Sequence, residues 1–127
     1  MPLVMMATNM KASEIPAGFE EKFSECVAKC FGRPEKAVLL EMCTDMRMFR
    51  GGMDKHGKGM HLKVCAGKKI LDAKHITECG HMMTEMLHNM LKLDMDKIII
   101  TYHTMDASNV YAKGDTLDHL LEQHMKH

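Results

Sequence analysis

Apolar residues recur every three or four positions in two long segments of the chain, with polar residues between them. The first segment, about residues 19–31, is entered through residues 11–18, where Ser13 is a candidate helix cap, and it ends at Gly32. Glycine readily takes the left-handed turn that closes many helices. The second segment spans about residues 72–92, and its apolar stripe comprises Ile76, Cys79, Met83, Met86, Leu87 and Met90. This periodicity predicts two amphipathic helices, each with one buried face.

Strand-like composition marks several other segments. Apolar and β-branched residues concentrate in residues 1–9, 37–43, 60–66 and 97–103, which predicts four strands. Residues 37–43 are predicted to be mostly buried. Residues 45–52 are predicted to form a short edge strand that ends at a glycine turn, and residues 109–111 one more short strand.

The two halves of the chain repeat one order of elements, which is a strand, a helix and a second strand. Glu35-Lys36 precedes the second strand of the first half, as Asp96-Lys97 precedes that of the second half. Because a connection of helical length implies parallel pairing within each half, we predict an α+β fold. In this fold a duplicated β-α-β unit forms a four-stranded mixed sheet with two helices on one face. Since both strand faces are hydrophobic, the uncovered face predicts contact with other subunits.

The length of 127 residues predicts one domain over residues 1–127, since a chain of this size buries a sufficient core without metals or disulfides. We expect pseudo-repeats over about residues 1–58 and 59–117, followed by a C-terminal extension over 118–127. Helical spacing in and just before this extension involves Leu117, Leu120, Leu121 and Met125. The pattern fits either a terminal helix lying on a neighbouring subunit or a frayed tail.

Charge and cysteine content limit the classes of function. The 17 Lys and Arg residues balance the 17 Asp and Glu residues, so we expect neither nucleic-acid binding nor membrane insertion. Five cysteines, an odd number scattered among apolar residues, predict reduced core thiols and a reducing compartment rather than a disulfide framework. The apolar stretch over residues 3–7 is too short for a signal peptide or a membrane span, which predicts a protein made in the cytosol.

Sixteen methionines and nine histidines raise the question of metal binding, because thioethers and imidazoles bind copper. His81, Glu85 and His88 fall on one face of the second predicted helix. That face is predicted to be solvent-exposed, no further ligand completes a site, and most methionines occupy buried positions. We therefore expect no metal site.

Pro2 is the candidate for chemistry. A small residue after the initiator Met usually allows removal of Met1, which would leave Pro2 with a free secondary amine. At the end of an apolar strand the charged form of this amine is disfavoured and its pKa lowered, as suits a base for proton transfer at carbon. The alternative is a proline that merely begins an edge strand, and this stretch alone favours that alternative.

An ordered set of short motifs extends over nearly the whole chain. The motifs are Pro2 with Thr8-Asn9, Ile15-Pro16-Ala17-Gly18-Phe19, Gly32-Arg33-Pro34, residues 48–52, Asp96-Lys97-Ile98 and Asn109-Val110. This set resembles the macrophage migration inhibitory factor and D-dopachrome tautomerase family. The resemblance implies a homotrimer around a central barrel, with active sites between neighbouring subunits. It also implies an isomerase that tautomerises phenylpyruvate-like or dopachrome-like substrates without a cofactor, with Pro2 as the general base.

The resemblance further implies the substrate-binding positions, which are Leu3, Arg33, Cys65, Ala66, Ile99, Thr101 and Val110. Arg33 replaces a lysine that is common in the family, and its guanidinium can bind a substrate carboxylate through two hydrogen bonds. Thr101 replaces an asparagine that contacts substrate from the neighbouring subunit, and Ile99 replaces a tyrosine. Both differences remove polar or aromatic contacts, so the resemblance implies a more open or differently selective pocket.

Three functions stay open at this point. The first is a trimeric tautomerase that uses Pro2. The second is a cytokine-like ligand of a cell-surface receptor, without physiologically relevant enzyme activity, for which the resemblance implies a protein that is both cytoplasmic and secreted without a signal peptide. The third is a structural or metal-binding protein with a lost active site. Retention of Met1 would favour the third, because an acylated Pro2 nitrogen has no basic lone pair.

Overall fold

A sheet of four strands and two helices packed on one face of it make up most of the molecule. The computed structural model describes residues 1–51 and 57–125, with side chains described as far as residue 122. The main elements are β1 (Leu3–Thr8), α1 (Phe19–Phe31), β2 (Leu39–Cys43), β3 (Met60–Ala66), α2 (Ala73–Leu91) and β4 (Ile98–Thr104). A hairpin of β5 (Tyr111–Ala112) and β6 (Asp115–Thr116) follows, and then α3 (Leu117–Met125).

The strand order in the sheet is β2-β1-β3-β4. β1 pairs in parallel with β2 and β3 in parallel with β4, whereas the central pair of β1 and β3 is antiparallel. Each half of the chain therefore forms one β-α-β unit, and the two units join through their first strands. The predicted α+β fold with a duplicated β-α-β unit and a mixed sheet is confirmed.

Strand pleating divides the sheet residues between two faces. Val4, Met6, Leu62 and Val64 face the helices and are fully or almost fully buried, as are the helix residues that they meet. The helix residues of this core are Phe19, Phe23, Val27, Cys79, Met83 and Leu87. No helix among the described residues lies on the other face, and three of its apolar side chains are exposed, at 37% for Met5, 52% for Leu39 and 46% for Ile99.

Both helices end at a residue with left-handed backbone dihedral angles. α1 ends at Gly32 (φ 64°) as predicted, and α2 ends at Lys92 (φ 59°), one of three described non-glycine residues with positive φ. The prediction of Ser13 as a helix cap is wrong. Ser13 lies in a separate short 3-10 turn, and α1 begins only after Gly18, whose φ of 81° separates the turn from the helix.

Two strand predictions are also wrong. β2 is not mostly buried, because it lies at the sheet edge and its residues alternate between exposed and half-buried. Residues 45–51 form no strand, and Gly52 lies outside the described residues. Asp45 takes left-handed dihedral angles, and its N–H donates to the Met10 carbonyl (2.8 Å), while the Met46 N–H donates to the Thr8 carbonyl (3.0 Å). These bonds hold Asp45 and Met46 at the end of β1 and the residues that follow it.

The C-terminal segment is helical over Leu117–Met125, which is the helical one of the two alternatives that its leucine spacing leaves open. The predicted strand over residues 109–111 is displaced, since β5 begins at Tyr111 and Asn109 ends a 3-10 turn. α3 starts beside this turn, where the Leu117 N–H donates to the Val110 carbonyl (2.7 Å). Contact of α3 with a neighbouring subunit stays a prediction. Across residues 1–51 and 57–125, no helix has both the length and the apolar composition of a membrane span.

The prediction that all five cysteines are reduced core thiols is wrong for Cys30 and Cys79, which form a disulfide. These residues are 49 positions apart, but α1 and α2 lie side by side on the sheet and bring their Cα atoms to 5.8 Å. The remaining thiols are free. Cys26 and Cys65 are half-buried and Cys43 is exposed.

Candidate active site

The start of β1 is the first part of the candidate site. Pro2 is buried there, and its carbonyl accepts a hydrogen bond from the Leu39 N–H (3.1 Å), which ties it to the edge strand. Leu3 lies in one row of the sheet with Leu39 on one side and Cys65 on the other. Ala66, the next residue of β3, is buried on the helix side. Four predicted site residues, Pro2, Leu3, Cys65 and Ala66, therefore lie together at one end of the sheet.

Arg33 reaches this end because of the way in which α1 terminates. The left-handed turn at Gly32 reverses the chain, and the Arg33 N–H then donates to the Ala28 carbonyl (2.8 Å). Burial and, as a smaller cause, the positive charge of Arg33 lower the pKa of the Met1 amine from its ordinary value. Two groups with complementary chemistry therefore meet here, an amine whose charged form is less favoured than usual and a guanidinium that can bind a carboxylate.

The amine at this position belongs to Met1 as long as Met1 is present. The Pro2 nitrogen is then an amide, whose lone pair is delocalised into the carbonyl and is not basic. Removal of Met1 would place a secondary amine on Pro2, one residue further into the same buried end of the sheet. The role of Pro2 as a base stays a prediction.

Ile99 and Thr101 lie elsewhere. Both are on β4, which is separated from β1 by β3, and both line a cavity of about 620 Å³ together with Asn9, Met48, Phe49 and His61. Neither Pro2 nor Arg33 lines this cavity. One chain therefore does not bring the predicted substrate-binding residues into a single pocket.

The cavity contains a polar group that the sequence analysis missed. The hydroxyl of Thr101 lies 3.0 Å from the Nε2 atom of His61 and 3.0 Å from that of His103. Burial, then the charges of Lys63 and His103, lower the pKa of His61. The period-two spacing of His61 and Lys63 on β3, and of Thr101 and His103 on β4, could have indicated a shared sheet face.

Val110 lies in the segment that leaves the sheet near Ala66. The Met105 N–H donates to the Ala66 carbonyl (2.8 Å), so the chain after β4 departs from the end of the sheet that carries Pro2. Val110 then follows the 3-10 turn Ala107–Asn109 and is half-buried. Its role as a pocket wall stays a prediction.

The histidines of α2 do not converge on a site. His81 and Glu85 are exposed, and Nδ1 of His88 lies 2.7 Å from the Leu93 carbonyl oxygen, just beyond the helix end. In the part of the chain that the structure describes, no group of three His, Cys, Asp or Glu side chains is arranged to hold a metal ion.

Comparison with known proteins relates this arrangement to one family. The family model described as "Macrophage migration inhibitory factor (MIF)" matches residues 1–118. The "MIF-like protein mif-2" of Caenorhabditis elegans is 28% identical over 122 residues, which covers 92% of this chain and 95% of the relative. "D-dopachrome decarboxylase" of Mus musculus is 28% identical over 121 residues, which covers 94% of this chain and 100% of the relative.

Solved structures agree on the fold. A macrophage migration inhibitory factor from Oncomelania hupensis superimposes with a TM-score of 0.85 at 18% identity, covering 99% of this chain and 88% of that one. One from Trichinella spiralis gives a TM-score of 0.82 at 18% identity, covering 90% of this chain and 98% of that one. With the family model matched over 118 residues and the duplicated β-α-β sheet present, the chain belongs to the macrophage migration inhibitory factor family.

Proposed function

We propose that this chain, folded as a single tautomerase-like domain, is a homotrimeric tautomerase whose general base is the Pro2 amine after removal of Met1. Its substrates are small carbonyl compounds that carry a carboxylate, such as phenylpyruvate-like 2-keto acids or dopachrome-like molecules. One observation carries the proposal. At the buried start of β1, burial and the neighbouring Arg33 lower the pKa of the Met1 amine. Removal of Met1 would place the Pro2 amine one residue further into the same end of the sheet, where a lowered pKa suits a general base.

The chemistry needs no cofactor. A carbonyl acidifies the carbon next to it, so the neutral amine can take a proton from that carbon, and the electron pair moves onto the carbonyl oxygen as an enolate. The protonated amine then delivers its proton to the enolate oxygen, directly or through a water molecule that gives up one proton as it receives another. This step gives the enol and restores the neutral amine, and the reverse sequence gives the keto form. Arg33 would bind the carboxylate and thereby orient the substrate, because a guanidinium forms two parallel hydrogen bonds with it.

The apolar residues of the same end would form the pocket walls. Leu3 and Val110 would contact the ring of the substrate, and the backbone at Cys65 and Ala66 would border the reacting carbon. The pairing of Leu3 on β1 with Cys65 on β3 supports this arrangement, because it places these two residues side by side at the same end of the sheet.

The trimer accounts for the separation of Ile99 and Thr101 from Pro2. In the proposed assembly these two residues reach the site from a neighbouring subunit, so that each pocket contains two chains. The uncovered sheet face supports the assembly, since it carries exposed apolar side chains such as Leu39 and Ile99. Burying such a patch is favourable at about 25 cal/mol per Å² of apolar surface.

The first test is the mass of the natural protein, which reports whether Met1 is present. The second compares the native protein with the Pro2→Gly variant in the tautomerisation of phenylpyruvate. We expect at least about a hundredfold lower kcat/KM for the variant, within the usual contribution of a general base, while light scattering shows an unchanged trimer. Equal rates in the two proteins would reject Pro2 as the base.

A second candidate is a cytokine-like ligand that binds a cell-surface receptor and has little enzyme activity. Such a ligand would be both cytoplasmic and secreted without a signal peptide. The Thr101 hydroxyl favours this candidate, because two histidines already occupy it and reduce its capacity to bind substrate. Inhibition of macrophage migration by the Pro2→Gly variant separates the two functions. Full potency of a catalytically dead variant would assign the signalling role to the protein surface, whereas loss of potency would assign it to the chemistry.

A further inference from the structure

The disulfide between Cys30 and Cys79 lies close in sequence to the candidate active site. Cys30 is in the last turn of α1, and Cys79 is fully buried within α2. A second contact joins the same parts of the two helices, since the ring of Phe31 stacks on that of His75 with centroids 6.3 Å apart. The end of α1 is therefore attached to α2 by a covalent bond and by a ring contact.

Only two residues, Phe31 and Gly32, separate Cys30 from Arg33 in the chain. Phe31 is the last residue of α1, Gly32 makes the left-handed turn, and the Arg33 N–H is bonded back to the Ala28 carbonyl at 2.8 Å. None of these residues is a flexible linker, because each has a defined backbone partner or a buried side chain. A displacement of the last turn of α1 therefore moves Arg33 with it.

We propose that the disulfide Cys30–Cys79 positions Arg33 against the terminal amine and that thiol reductants switch this positioning off. The inference rests on the proposed function, because it concerns the regulation of that same site. Neither cysteine touches the substrate. They act through Arg33, so they are positioning residues.

The switching reaction is thiol–disulfide exchange with a low-molecular-weight thiol of the glutathione type. The thiolate attacks Sγ of Cys30, which is the half-buried partner, and Cys79 leaves as a thiolate and takes up a proton. A second thiol then attacks the mixed disulfide and releases Cys30 as a thiol. In total two electrons and two protons are transferred to the protein, and two reductant thiols become one disulfide.

Reduction is expected to change both the affinity for substrate and the pKa of the amine. A less confined guanidinium binds the carboxylate more weakly, which raises KM for phenylpyruvate about threefold to tenfold, the range for a weakened hydrogen bond to a charged group. Its charge also lies further from the amine on average, so the pKa of the amine rises and the acid limb of the kcat/KM profile moves to higher pH.

The experiment compares oxidised and dithiothreitol-reduced protein with Met1 removed, below the unfolding temperature of both. Thiol counting in denaturant first establishes the oxidised state, for which we expect three free thiols, those of Cys26, Cys43 and Cys65. Five thiols in air-oxidised protein would overturn the inference. The Cys30→Ser variant is expected to match the reduced protein in KM and in the pH profile. Cys26→Ser, with a free thiol on the same helix, serves as the matched control and is expected to match the oxidised protein.

The Arg33→Gln background distinguishes positioning from a general loss of stability. If the disulfide acts through Arg33, reduction leaves KM and the pH profile of Arg33→Gln unchanged. Equal effects of reduction with and without Arg33 would overturn the inference. The pKa of the amine is also measured directly, by the pH dependence of its acylation rate. Absence of turnover in every sample would therefore reject the proposed function alone. An amine pKa that is the same in oxidised and reduced protein would reject the disulfide as a positioning pair.

Discussion

Thr8 holds the end of β1 to the chain that precedes β3, and its removal gives a quantitative test of the fold beside the cavity. The side chain is fully buried. Its hydroxyl donates to the Gly59 carbonyl (2.7 Å) and accepts from the Met10 N–H (3.1 Å). Thr8→Val keeps the shape of the side chain, so it removes the two hydrogen bonds with little change in packing.

The magnitude follows from the two buried backbone groups that would lose their partner. Each orphaned group costs about 1–3 kcal/mol, and the added methyl group returns about 0.8 kcal/mol through burial. We therefore expect Thr8→Val to lower the free energy of unfolding by about 3 kcal/mol. At roughly 2.1 cal/mol/K of unfolding entropy per residue, this corresponds to a decrease in Tm of about 11 °C for 127 residues.

Thermal unfolding followed by circular dichroism, at one protomer concentration, measures the change. Thr8→Ser keeps the hydroxyl and loses only the methyl group, so we expect a decrease of about 1 kcal/mol. Thr77→Val, on the exposed face of α2, controls for the substitution itself and is expected to stay within about 0.5 kcal/mol of the native protein. The reasoning is refuted if Thr8→Val is no less stable than Thr8→Ser.

Three further predictions concern the disulfide, the uncovered face and pH. Reduction of Cys30–Cys79, which closes a separation of 49 residues, is expected to lower stability by about 4 kcal/mol and Tm by about 15 °C in calorimetry; a shift of only a few degrees would contradict it. Ile99→Arg on the uncovered face is expected to give monomers in light scattering, whereas His81→Arg on α2 is expected to keep the proposed trimer; a trimeric Ile99→Arg would argue against the proposed interface. Hydrogen bonds from the start of α2 lower the pKa of Asp72, so its ionised form stabilises the fold above the unfolded pKa of about 3.9, and this contribution is lost as the pH falls through the lower folded pKa. Asp72→Asn is therefore expected to flatten the decrease in Tm between pH 5 and pH 3, and equal slopes would contradict this assignment.

Much of the fold could be predicted because burial is periodic along each element. The stripe of Cys79, Met83 and Leu87 on α2 is buried as its spacing predicts, and the repeated order of elements predicts the parallel pairing of each half. The predictions that are wrong concern features that depend on contacts between residues distant in sequence. The exposure of β2 follows from its place at the sheet edge, and the disulfide follows from the side-by-side packing of two helices.

The candidate site, too, has features that the sequence indicates and features that depend on the folded structure. The chemistry of a terminal amine makes Pro2 a candidate, although its own stretch favours a plain strand start, whereas Arg33 is implied only by the family resemblance. The turn at Gly32 is what brings the charge of Arg33 to the end of β1. The family resemblance places Ile99 and Thr101 in the same pocket as Pro2, whereas within one chain they line a separate cavity. The contacts of His61 and His103 with Thr101 require the register of β3 against β4, which no local pattern specifies.

The residues that end α1 and α2 show how the internal duplication can guide protein engineering. Gly32 (φ 64°, ψ 39°) and Lys92 (φ 59°, ψ 33°) occupy equivalent places with nearly the same backbone geometry. A side chain in this geometry costs about 1–2 kcal/mol, and glycine avoids that strain. The first repeat thus indicates a stabilising substitution in the second. Replacing Lys92 by glycine is expected to raise the thermal stability of the protein, and the choice of substitution needs no comparison with a homologue.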